Sequence, residues 1–132
     1  MAEEWVRWRP LNSILSSHEY FIAATKYDKK QLSIIIAEDD LVIRVIFDQS
    51  VIAYRVANEW YQMRLTDYLY EQNVKLNDHM WTFYKVNNSS YFKSFAHPQE
   101  SWHHYGFYTD DSVIDVIATQ EPIVEEIQSI PE

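Results

Sequence analysis

The chain has no cysteine, which excludes disulfide staples, thiolate zinc sites and cysteine nucleophiles. Glycine occurs once, at Gly106, so no glycine-rich phosphate loop, dinucleotide fingerprint or nucleophile elbow is available. Positive charge is scarce: 11 Lys/Arg face 20 Asp/Glu, for a net charge of −9. The deficit is uneven. Residues 1–64 hold eight Lys/Arg and nine Asp/Glu, a balance of −1, whereas residues 65–132 hold three and eleven, a balance of −8. Neutralising phosphates dominates nucleic-acid affinity, so no nucleic acid and no anionic membrane is expected as a partner, and a basic protein suits the surface better. Long apolar runs are missing too. Nowhere do eighteen apolar residues follow one another, and residues 1–8 have neither a basic n-region nor an apolar h-region. The expectation is no membrane span, no signal peptide, and the cytoplasm as location.

What is present is apolar and aromatic. Hydrophobic residues make up 47% of the chain and aromatics 16%, which rules out disorder for want of large side chains. A chain of 132 residues is one domain by length and can bury about two-thirds of its unfolded surface without a metal or disulfide. It divides into an N-terminal arm over 1–19, a body, and a frayed tail over 128–132. In the arm, Trp5 and Trp8 lie three apart and fit either one face of a helical turn or an extended segment, with anchoring to the core as their role.

The body reads as α+β, a single antiparallel, strongly aromatic sheet of about six hairpin-linked strands with two or three short helices. Runs 20–27, 32–37 and 41–47 are β-prone and form a meander, linked by Asp28-Lys29-Lys30-Gln31 and Glu38-Asp39-Asp40. Asp48-Gln49-Ser50 is read as a further hairpin turn, with a bulge in one long strand as the alternative, before the apolar run 51–57. Both faces of 32–37 and 51–57 are apolar, which implies cover on part of the second face. Spacing of Trp60, Met63, Leu65, Tyr68 and Leu69 predicts a helix over 59–71, and 73–79 is a polar connection. Run 80–86 is a strand, and Asn87 to Ser90 supply N-cap residues for a short helix over 91–96. Two β-prone runs, 102–108 and 113–118, flank the polar turn Thr109-Asp110-Asp111-Ser112. Beyond Pro122, residues 123–127 are expected to start a terminal helix.

Nothing in these elements announces chemistry. Five histidines invite a metal site, but His103 and His104 on one strand point to opposite faces, and no ligand-spacing motif occurs. No metal and no cofactor are expected, with surface or partner-contacting histidines instead. Acid pairs such as Asp39-Asp40 and Asp110-Asp111 sit in turns, where they serve solvation and capping. Asp115 stands alone in an apolar run. If buried it needs Arg44, Arg55 or Arg64 as partner; the favoured reading is an ordinary outward strand residue. Spacing alone does not dismiss a Ser/His/Asp triad, yet nothing singles one out, so no enzyme is expected and no catalytic residue is assigned. Trp81, Tyr84, Trp102, Tyr105 and Tyr108 serve core packing better than sugar stacking.

The order Trp81-Thr-Phe-Tyr-Lys-Val-Asn-Asn-Ser-Ser-Tyr-Phe-Lys-Ser-Phe, then His104-Tyr-Gly-Phe-Tyr-Thr, Ile114-Asp115-Val116-Ile117 and Glu121-Pro122, resembles an uncharacterised group of small acidic bacterial proteins. Some of its members are encoded near secreted polymorphic toxins. The similarity covers the last third to half of the chain and carries no catalytic residues with it. It implies a cytoplasmic immunity (antitoxin-like) protein that occludes a toxin domain, a basic one on charge grounds. Glu100, Trp102, Tyr108, Asp110 and Asp111 are the candidate partner-binding patch, acids beside aromatic anchors. The alternative is a ligand-binding or regulatory small domain, a homodimer through an exposed sheet edge.

Overall fold

The structure, a computed structural model, describes residues 3–14, 20–58, 81–109 and 112–131. Its strands are β1 Glu4–Arg7, β2 Phe21–Asp28, β3 Gln31–Glu38, β4 Leu41–Asp48, β5 Val51–Asn58, β6 Phe83–Asn87, β7 His103–Tyr108, β8 Ser112–Ala118 and β9 Ile123–Ile127, with one helix, α1 Ser90–Lys93, among the described residues. They form two antiparallel sheets. One has the order β1-β6-β7-β8-β5 and the other β2-β3-β4-β9. Period-2 alternation points Leu32, Ile34, Ile36, Ile43, Val45 and Phe47 of the smaller sheet at Phe83, Tyr105, Phe107, Ile114 and Val116 of the larger one, in a single buried cluster. Phe47 bridges the sheets, its ring centroid 5.5 Å from Tyr105 and 6.3 Å from Phe107.

The expected α+β class is therefore corrected to a β-sandwich, two sheets instead of one. Three local misreadings produced it. Asp48-Gln49-Ser50 is neither hairpin nor bulge: β4 and β5 belong to different sheets. Gln49 takes a left-handed φ of 59° and is tied to the preceding turn, its N–H donating to the Lys30 carbonyl at 2.9 Å. Ser50 then accepts from the Thr119 N–H at 2.9 Å in the other sheet, so three residues suffice to change layers. Second, 123–127 is a strand and not a helix. Five residues cannot offset helix nucleation, whereas the open edge of β4 pairs all five, Val42↔Ile127 to Ile46↔Ile123. Third, the helix over 91–96 shrinks to four residues with Ser89 as N-cap. The helix expected over 59–71 and the connection 73–79 lie outside the described residues.

The meander 20–47 is present as β2-β3-β4, with Lys29 and Lys30 at φ 51° and 63° in the first turn, the double left-handed pattern of a type I′ hairpin. A second meander is β6-β7-β8. The other three strands are exchanged: β1 and β5 flank the first meander in sequence but pair with the second, and β9 follows the second but pairs with the first. Cover on a second face is seen at Ile35 and Ala37, which are buried opposite the core. On β5 the second face carries Ala53, Arg55 and Ala57, all half-buried, whereas Tyr54 and Val56, on the core side with Val116 and Ile114, are exposed at the sheet edge.

Candidate functional site

β8 is buried on both faces from Val113 to Ala118. Its core face is apolar; the opposite face carries Asp115, fully buried. The favoured outward reading of Asp115 is thus corrected, and one of its three candidate partners is found. Arg55 lies directly across the β5–β8 ladder and donates from Nε to Asp115 Oδ2 at 3.0 Å. On the other side Asp115 faces Gly106 of β7, which has no side chain to fill the space. Two neighbours use that space. The Trp5 ring lies over Gly106, and His104, two residues along the same face of β7, brings Nε2 to 2.6 Å from Asp115 Oδ1.

The chain of contacts continues. His104 Nδ1 is 2.6 Å from Ser89 Oγ, and Ser89 Oγ accepts from the Phe92 N–H at 2.9 Å as the cap of α1. With its imidazole proton on Nε2, His104 donates to Asp115 and accepts from the Ser89 hydroxyl, and every polar atom of the set has a partner. Trp5 and Tyr91 stand edge-on to the imidazole at centroid distances of 5.9 and 5.8 Å. Arg55 closes the network from outside, 4.0 Å above the Tyr91 ring. Burial pushes the Tyr91 hydroxyl pKa up, the Arg55 charge opposing this and the Asp115 charge adding to it.

Serine, histidine and aspartate in a line invite a hydrolase reading, and the surroundings argue against it. The Ser90 N–H beside the hydroxyl is taken by the Glu3 carboxylate at 2.8 Å, which also accepts from Ser90 Oγ at 3.1 Å and from Trp5 Nε1 at 3.1 Å. A carboxylate stands where a developing oxyanion needs donors. Ser89, His104 and Asp115 are all buried. The set is a clamp that fixes the Trp5 side chain of β1 and the start of α1 to the outer face of β7 and β8.

Beside the clamp a groove of about 540 Å³ runs along the end of β6 and the start of β7, lined by Lys85, Asn87, Phe92, Lys93, Trp102 and His103 among others. Trp102 is held by edge-on contacts with Phe92 and Phe95 at 6.0 and 5.7 Å. Lys85 pairs with Glu121 at 3.1 Å. Burial, with the Glu121 carboxylate adding to it, pushes the Tyr105 hydroxyl pKa up to about 12.

Of the five residues of the candidate patch, Glu100 is exposed and Trp102 half-buried at the groove end of β7, whereas Tyr108 ends the same strand. Six residues of strand separate them by roughly 20 Å. Asp110 and Asp111, which follow Tyr108, lie outside the described residues. His103 is exposed and His104 buried, on opposite faces of β7. No group of three or more His, Cys, Asp or Glu able to hold a metal ion occurs among the described residues, and no helix there is long and apolar enough to cross a membrane. Sequence reasoning missed the Ser89–His104 link. Two signals pointed near it: a lone acid in an apolar run, and a lone glycine inside a strand, which marks a close approach. Comparison with protein-family models, with curated proteins and with solved structures finds no match.

Proposed function

We propose that this chain is a non-enzymatic, protein-binding protein of the cytoplasm, an immunity protein that occludes a basic toxin domain. One observation carries the reading: among the described residues β5 is an eight-residue edge strand whose side chains Ile52, Tyr54 and Val56 are exposed and apolar at the rim of the sandwich. The other edges are blunted. β1 has four residues, β9 carries Glu125 and Glu126, and β2 presents Lys26 and Asp28. Tyr27 of β2 extends the apolar stripe, its ring centroid 5.7 Å from that of Tyr54. Beyond Val56 the ladder pairs Asn58 with Ser112, the residue that follows Asp110 and Asp111 in the sequence. An apolar anchor beside acids in a chain of net charge −9 matches a basic protein surface.

Co-expression with the protein encoded next to this chain's gene tests this. Rescue of growth and co-purification are expected, with both weakened by Val56→Lys and by Asp110→Lys with Asp111→Lys while the fold is retained. Absence of both rescue and co-purification by the unaltered chain rejects the reading. The same exposed edge favours one alternative, a regulatory small domain that pairs as a homodimer through β5. Light scattering separates the two: a dimer dissociated by Val56→Lys assigns the edge to self-association.

A further inference from the structure

The acid-rich half of the chain contains three Lys/Arg: Lys75, Lys85 and Lys93. Two of them, Lys85 and Lys93, line the groove at the junction of β6, α1 and β7, where the exposed ring of His103 joins them. The carboxylate opposing them there is Glu121, and the Lys85–Glu121 pair is 46% and 57% exposed at its two side chains. Water screens such a pair, so an entering anion can displace Glu121 at little cost. Trp102 supplies a flat wall already immobilised by Phe92 and Phe95, so a stacked ligand orders little that is not ordered beforehand. Asn87 and Asn88 add amide groups able to donate and accept. A groove of about 540 Å³ is in the range of small-molecule sites.

We infer that this groove binds a small anion bearing a flat ring, the chemistry of a nucleoside 5′-monophosphate, with the ring on Trp102 and the phosphate among Lys85, Lys93 and His103. The charge of the whole chain opposes a polynucleotide, whose many phosphates would meet the acidic surface beyond the groove. A mononucleotide presents one phosphate to a place where Lys85, Lys93 and His103 converge. Stacking on an aromatic wall tolerates any base, so the preference among bases is set by Asn87 and Asn88.

The test is calorimetric titration of the full chain with AMP, GMP, CMP and UMP, and separately with the matching uncharged nucleosides and with inorganic phosphate. At least one monophosphate should saturate with a Kd below about 1 mM, and its nucleoside and inorganic phosphate should each bind about tenfold more weakly or worse. Lys93→Glu should weaken binding by about tenfold, as should Trp102→Ala, whereas Glu121→Gln should strengthen it by removing the competing carboxylate. Lys93 is exposed at the end of α1, so its variant folds and decides the matter even if Trp102→Ala does not. No saturation by any of the four, equal affinity for the uncharged nucleoside, or indifference to Lys93→Glu would each overturn the assignment. Growth rescue by co-expression is a separate readout, and its failure leaves this one standing.

Discussion

At the scale of single residues, Gly106 shows how a missing side chain organises a site. Its φ is not left-handed, so backbone freedom is not what requires glycine there. A Cβ would lie 2.5 Å from Trp5 Cζ3 and 2.9 Å from Cη2, and Trp5 is itself packed against Tyr84 and His104. Gly106→Ala should therefore cost about 1–3 kcal/mol in denaturant unfolding. In a Trp5→Leu background the penalty should largely vanish; an equal penalty in both backgrounds would show that the clash is not with Trp5. Tyr105 makes a pH prediction. Its hydroxyl ionises near 10 when the chain is unfolded and near 12 when folded, so above pH 10 the unfolded state loses a proton that the folded state keeps. Stability from this group is complete below pH 10 and falls as the pH rises to about 12. Tyr105→Phe should flatten that part of the stability–pH profile. What the sequence allowed at this scale was Asp115: a carboxylate inside an apolar run must be wet or paired, and Arg55 was among the three partners available. Which alternative held depended on β8 having strands on both sides, β7 and β5, which no local pattern encodes.

At the scale of elements, strands with clean alternation were legible and their partners were not. Run 41–47 alternates so that Ile43, Val45 and Phe47 share a face, and those three side chains are indeed buried together. Runs 20–27 and 32–37 were legible for the same reason, with the Asp28 to Gln31 turn between them. The failures arose where a short segment is decided by a distant one. Residues 123–127 carry two acids and a preceding proline, a pattern equally suited to a helix start; only the free edge of β4 makes them β9. Cross-strand charge pairing reports that docking. Arg44 faces Glu125 in the ladder and donates to it from Nε at 2.8 Å, both side chains about 40% exposed. Arg44→Glu should lower stability by about 0.5–1 kcal/mol, a modest effect because water screens the pair, and adding Glu125→Arg should restore most of it. A double variant no more stable than the single one would show that β9 does not pair in this register.

At the scale of the whole molecule, the exchange of β1, β5 and β9 between the two meanders has a consequence in time. β2-β3-β4 and β6-β7-β8 close over short stretches of chain, whereas Glu4 must find Asn87, Arg44 must find Glu125 and Arg55 must find Asp115. Long loops close late because their entropy is lost before any contact compensates it, so folding in the millisecond-to-second range is expected, with the meanders formed first. Alanine at Ile34 or Ile114, inside the meanders, should slow folding. Alanine at Trp5 or Val124, on the exchanged strands, should leave the folding rate nearly unchanged and accelerate unfolding. Chevron plots of the four variants check this, and uniform slowing of folding by all four would contradict it. If the order holds, the lifetime of the native state is governed by the three late strands, each latching one meander to the other. Since β5 also carries the exposed stripe proposed to meet a partner, a bound partner would lengthen that lifetime by holding the last latch shut.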